Sequence, residues 1–301
     1  MRACSFLPAS TQMIYELGLD DRLYGVTFEC PSDKPKIVRS HLEGRTLSSA
    51  EIDRIVSETE ARGETLYYLD VPLLEAAAPD VIFTPHVCNV CQIGTAFVER
   101  AVHELPKLPR LVALVPRRLS EVFDNIETIA RELGAAQRGA ALVAQGHARI
   151  DRVVDALRAA RARPARAMVM EWLDPIYNCG HWIPDQIALA GGSDALSAPA
   201  GYSVPTDWEK IRSYDPEVIV VAPCGFEAKR TVQELDRLTT LPGFSELTAV
   251  RRGRVFAADA QLFTQPSVSE LVTGIELLAH VFHPTVLSVP AHAASRFTRV
   301  A

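Results

Sequence analysis

Seven short apolar runs, at residues 3–6, 24–28, 81–84, 111–115, 167–172, 218–222 and 254–257, set the strongest limit on how this chain folds. They are too short to show the two-residue alternation of a half-buried strand. That is the pattern of parallel strands covered by helices on both faces. Longer stretches of helical periodicity separate them, so the order of elements selects the α/β class. Residues 11–17 form one such stretch, closed by Gly18 as a helix C′ residue. Ser48-Ser49-Ala50-Glu51 has the form of a capping box, opening a helix with Ile52, Ile55 and Val56 on one face.

The order also repeats. Residues 73–82 run from helix through a Pro-Asp turn into a strand, and residues 211–220 do the same through Asp-Pro. Residues 12–18, followed by Asp20 to Leu23, are echoed by residues 186–192, followed by Asp194 to Leu196. The chain therefore reads as two α/β lobes, the first longer because residues 26–62 have no counterpart. Residues 120–161 are helical in pattern, with a break signalled by Gly134, Gly139 and Gly146 and no proline before Pro164. About 25 residues of helix span roughly 38 Å, a stiff spine between lobes. The expected division is an N-terminal lobe at 1–134, a backbone helix at 135–163, a C-terminal lobe at 164–284 and a surface or mobile tail at 285–301. Ligands of parallel α/β units bind beyond the carboxyl ends of the strands, here in a cleft between lobes.

Composition narrows the function. Apolar residues make up 48% and charged residues 23%, which excludes a disordered chain. No apolar run approaches the ~20 residues that cross a bilayer. A net charge of −6 argues against a general nucleic-acid binder. The arginines of residues 158–166 read as charge favouring the C-terminus of the spine helix. No leader-like segment opens the sequence, so the cytoplasm is the expected compartment, with its cysteines kept as thiols.

Five of the six cysteines follow predicted strand ends: Cys30, Cys88, Cys91, Cys179 and Cys224. Cys4 lies inside the first strand and reads as packing. Three readings of the five stand. Cys88 and Cys91 grip a soft metal or iron–sulfur cluster, completed by Cys30, Cys179 or Cys224. Alternatively the thiols are scattered and share no ligand, or Cys88 and Cys91 act as an attacking and resolving redox pair. His86 and His181 flank these loops as further ligands, or as axial donors to the metal of a corrinoid or haem. The aromatics Trp172, Tyr177, Trp182, Phe226 and Phe263 gather at the same loops, where flat rings suit a macrocycle. Trp208 reads instead as a core anchor. No phosphate loop, Gly-x-Ser-x-Gly elbow or His-Glu-x-x-His pair is present.

Ser5-Phe6-Leu7-Pro8-Ala9-Ser10-Thr11-Gln12, then Leu17-Gly18 and Tyr24-Gly25-Val26-Thr27, resemble the opening of the helical-backbone (class III) ABC-transporter solute-binding proteins. The likeness is to their vitamin B12 and iron-siderophore type. It continues through residues 172–175, 187–192 and 215–221 and covers roughly residues 2–284. The resemblance implies two lobes on a long helix, a binding protein rather than an enzyme, and a metal-containing ligand such as cobalamin or haem. Trp172 and Phe263 occupy stretches that line the family's corrinoid pockets. It also implies an ABC permease as partner if the chain is exported. This sequence departs from the family pattern in carrying Gln12 where a glutamate is usual. For the permease-facing glutamates, one per lobe, it offers only Glu99 or Glu104 and Glu227 or Glu234. The competing reading is a cytosolic metallo-protein or thiol redox enzyme built on Cys88, Cys91 and the other loop cysteines.

Overall fold

In the computed structural model, which describes residues 1–85, 95–103, 105–264 and 267–301, each of the seven apolar runs lies on a strand. The strands are β1 (Ala3–Ser5), β2 (Leu23–Thr27), β3 (Lys36–Ser40), β4 (Tyr67–Leu69), β5 (Val81–Pro85), β6 (Arg110–Leu114) and β7 (Ala165–Met170). They continue with β8 (Trp172–Leu173), β9 (Ile176–Tyr177), β10 (Gly192–Ser193), β11 (Val218–Val221), β12 (Val255–Ala258) and β13 (Phe297–Arg299). The chain divides into two compact units. The first comprises Met1–Leu47, Glu51–Pro116 and Ser120–Val143; the second comprises Ser48–Ala50, Arg117–Leu119 and Ala144–Ala301.

The first unit holds a six-stranded sheet in the order β4-β3-β2-β1-β5-β6. All pairs are parallel except β3 with β4. Strand β3 and the helix Ser49–Ala61 lie in the stretch without a counterpart in the second half. Both faces of the central strands are covered: Cys4, Phe6, Ile37, Val38, Leu74, Ile82, Val98 and Val102 form one cluster. Burying each large side chain contributes about 1.5–3 kcal/mol. The opening Ser-Phe-Leu-Pro-Ala-Ser-Thr segment explains its own composition. Pro8 starts the helix Pro8–Glu16, where a missing N–H costs nothing. The Ser5 and Ser10 hydroxyls both donate to the Leu7 carbonyl, at 3.0 and 3.1 Å. The Thr11 hydroxyl donates to Ser5 Oγ at 2.8 Å.

The second unit holds a five-stranded sheet, β10-β7-β11-β12-β13, parallel except for β13 against β12, and a separate β8–β9 hairpin. Its core includes Met168, Met170, Ile219, Val221, Leu238 and Phe244. Trp208 stacks on Phe244 at 6.4 Å and donates from Nε1 to the Pro242 carbonyl at 2.8 Å, as a core anchor should.

The break expected among the glycines of the spine falls at Gly134, and the reading of the arginine run changes. The spine is two helices, Leu119–Glu132 and Ala136–Ala159, broken at Gly134, whose φ of 67° suits a residue without Cβ. The second has 24 residues, about 36 Å. It ends before Arg161, Arg163 and Arg166, leaving only Arg158 in its last turn, so the helix dipole accounts for one arginine of that run. The tail runs over the surface and ends in an ordered edge strand. Residues 297–299 return as β13, and Arg296 anchors them through Asp259 at 3.0 Å and Glu270.

At the start of β11, Glu217 is 4% exposed. It accepts from Arg163 Nη2 at 2.8 Å, Arg252 Nη1 at 3.2 Å and the Arg166 amide at 3.1 Å. Burial alone raises this carboxyl, but the Arg163 hydrogen bond, the Arg166 amide and the guanidinium charges outweigh it and hold it at about 2. The resulting stability is fully present above the ordinary carboxylate pKa and is lost as pH falls towards 2. Glu217→Gln should cost about 3 kcal/mol at pH 7 in urea unfolding, with parent and variant converging below pH 3.

Candidate functional site

The parallel strands of the second unit point their carboxyl ends at one edge, and the loops leaving β7, β11 and β12 meet there. The Ala222 amide bonds the Met170 carbonyl at 2.9 Å, and the Cys224 amide bonds that of Glu171 at 3.0 Å. The Ala260 amide bonds the Phe226 carbonyl at 2.9 Å. Trp172 leans on Phe226 with ring centroids 5.5 Å apart, and the Arg230 guanidinium covers the Phe226 ring at 3.8 Å. Trp182 Nε1 donates to the Phe263 carbonyl at 2.7 Å. Phe263 is fully buried and Phe226 is 4% exposed, whereas Trp172 and Tyr177 are half-buried.

A second loop, residues 197–206, is laced against residues 176–181. The Asn178 amide bonds the Val204 carbonyl at 3.1 Å, and Asn178 Oδ1 accepts from the Val204 amide at 2.7 Å. The Thr206 amide bonds the Ile176 carbonyl at 2.7 Å. Glu171 closes the pair: one carboxylate oxygen accepts from the Gly180 amide at 2.9 Å, the other from Ser203 Oγ at 2.5 Å. Gly180 is required for the approach, because a Cβ there would land on the backbone of Tyr202 and Ser203.

This lacing presents His181. Its amide donates to the Gly201 carbonyl at 2.6 Å and its carbonyl accepts from the Ala200 amide at 3.1 Å. The backbone is held at φ 53°, a left-handed conformation unusual for a residue with Cβ. The imidazole lies between Trp182, at 5.7 Å, and Tyr202, edge-on at 5.5 Å; Arg117 sits over the Tyr202 ring at 4.5 Å. Burial, then the Arg117 charge, pushes the His181 pKa down, so the ring is neutral at pH 7. His181 Nε2 and Trp172 Nε1 are both buried atoms without a hydrogen-bond partner among the described residues. Such atoms cost free energy unless something outside the chain meets them.

The thiolate shell expected from the sequence does not assemble among the described residues. There, no group of three or more histidines, cysteines or acids stands ready to hold a metal ion. Cys30 belongs to the first unit and donates to Thr11 Oγ1 at 3.1 Å. Burial pushes its thiol up to about 11. Cys179 is buried against Ser197 Oγ at 3.2 Å and Asp194 at 3.6 Å. Burial, then the charges of Asp194 and Glu171, drives its thiol well above the ordinary value. Both thiols are hydrogen-bonded to protein hydroxyls and buried apart from one another in the two units. Cys224 is half-buried in the β11 loop. His86, Cys88, Cys91 and Glu104 lie outside the described residues. Of the candidate permease glutamates, Glu99 and Glu227 are exposed. Glu234 is occupied, accepting from the amide and hydroxyl of Ser49 at 2.9 and 2.5 Å.

Sequence reasoning missed Arg117, Glu171, Tyr202 and Ser203. None sits in a local pattern, and Arg117–Leu119 joins the second unit only in three dimensions.

The model of the periplasmic binding protein family matches residues 71–262, well over half the chain. The chain belongs to the periplasmic binding protein family. An uncharacterised ABC transporter substrate-binding lipoprotein, YvrC of Bacillus subtilis (strain 168), is 24% identical over 286 residues, 93% of this chain and 79% of the relative. A periplasmic heme-binding protein from Pseudomonas aeruginosa superposes with a TM-score of 0.70 at 17% identity, covering 100% of this chain and 99% of that one. The periplasmic vitamin B12-binding protein BtuF of Vibrio cholerae superposes with a TM-score of 0.63 at 17% identity, covering 94% and 96%. These superpositions show the two-lobe binding-protein fold.

Gly180→Ala should part the two laced loops of this binding protein. The expected result is faster amide hydrogen exchange at residues 178–182 and 200–204, with the parallel sheet of β7 and β11 unchanged.

Proposed function

We propose that this periplasmic binding protein is the substrate-binding component of an ABC importer and takes a metal-bearing tetrapyrrole, haem or a corrinoid, against the laced edge of its second lobe. One observation carries the reading: His181 Nε2 is buried among flat rings, on a ring held neutral, and has no hydrogen-bond partner among the described residues. A neutral imidazole nitrogen is a donor to iron or cobalt. The Trp172, Trp182 and Tyr202 rings offer flat apolar surface for a macrocycle, and Arg117 brings positive charge to the same edge. His181 would hold the metal of the cargo, and the indole N–H of Trp172 would donate to an acceptor on its periphery. The names of the relatives, a substrate-binding lipoprotein and periplasmic binders of heme and vitamin B12, support the same class. They also support work outside the cytoplasmic membrane in place of the cytoplasmic location expected from the sequence.

The test is titration of the purified protein with hemin and with cyanocobalamin, followed by absorption. Saturable binding of one of them is expected. His181→Ala should weaken it by about tenfold or more and alter the metal-sensitive bands. Failure of both ligands to bind, or full retention of spectrum and affinity in the variant, overturns the assignment.

A further inference from the structure

The parallel sheet that sends its carboxyl ends to the ligand edge sends its amino ends to the opposite edge of the second unit. That edge is rich in arginine. Residues 160–166 lead into β7, 215–217 into β11 and 251–254 into β12, while 299–301 run out of β13 beside them. These segments contain seven arginines and no lysine, against two side-chain carboxylates, Asp215 and Glu217, in a chain whose net charge is −6.

Shared acids gather four of these arginines, Arg163, Arg166, Arg251 and Arg252, into one cluster. Glu217 bonds both Arg163 and Arg252. Asp215 lies 3.8 Å from Arg166 and feels the charge of Arg251. Arg299 lies against Gly253. Arg254 is turned inward, donating to the carbonyls of Val281 and Phe282. The acids are spent within the cluster: Glu217 is buried beneath the arginines, and Asp215 also accepts from the Thr248 amide and hydroxyl. The arginines face outward, with the side chains of Arg163 71% and Arg252 57% exposed and Arg161, Arg251 and Arg299 exposed as well.

We propose that this arginine edge is a docking surface for the phosphate headgroups of an anionic membrane. Guanidinium forks match phosphate geometry. The residues between them are Ala162, Pro164, Gly253 and Val300. The edge therefore lacks the aromatic anchors on which stereospecific protein interfaces depend. Many cations without an apolar anchor suit a fluid array of like charges. The negative charge elsewhere on the chain does not cancel this attraction, because salt screens it beyond about 8–10 Å.

The test is co-sedimentation of the full chain with vesicles of phosphatidylcholine alone and of phosphatidylcholine with phosphatidylglycerol. Binding only to the anionic vesicles, abolished by high salt, is expected. The variant R161E/R251E/R299E spares the arginines that hold Glu217. It should bind at least about tenfold more weakly while keeping the parent's hemin or cobalamin titration. R161Q/R251Q/R299Q should fall between, which guards against misfolding of the reversed variant. No binding to anionic vesicles, binding unaffected by the reversal, or capture of duplex DNA or an acidic protein in preference to vesicles overturns the proposal.

Discussion

Parallel strand pairing is the constraint on which the rest of this structure depends. Once β7, β11 and β12 run in one direction, every loop after a strand falls on one edge and every loop before a strand on the other. The chain has used the two edges for opposite chemistry. The carboxyl edge gathers rings, a neutral histidine and unpartnered polar atoms. The amino edge gathers arginines, two of which neutralise the buried Glu217. The same hydrogen-bonded ladder thus separates a ring-lined edge from a charged edge by the length of its buried aliphatic strands.

The ligand edge is organised by polar satisfaction rather than by hydrophobic packing. Glu171 spends both carboxylate oxygens holding Gly180 and Ser203 together, and Asn178 pairs with Val204 through side chain and backbone. These bonds are what let His181 occupy a left-handed backbone conformation with its ring buried. In such an edge two atoms without a partner among the described residues, at Trp172 and His181, carry more information than the many that are satisfied. The cysteines make the contrast. They sit at strand ends, where a site belongs, yet Cys30 and Cys179 are paired with hydroxyls and held protonated by burial, which makes them part of the frame.

The first unit shows how a motif acts structurally. The opening Ser-Phe-Leu-Pro-Ala-Ser-Thr segment ties the end of β1 to the first turn of its helix through Ser5, Ser10 and Thr11. Its role on this structure is to fix the β1–helix turn.

The seven apolar runs determined the buried parallel strands because a strand covered on both faces must be apolar throughout, and that signal is local. For the same reason the edge strands β4 and β13 were invisible: with residues such as Tyr68 and Arg299 they are half-exposed and read as loop. The family and the two-lobe plan were also legible, from the order of motifs along the chain. Tertiary structure alone decided which cysteines are structural, which carboxylate laces the loops, and that Arg117 and Tyr202 join His181. It alone joined the arginines of three separate segments into one edge. Those outcomes rest on contacts between residues far apart in sequence, and nothing in local composition encodes a distance of that kind.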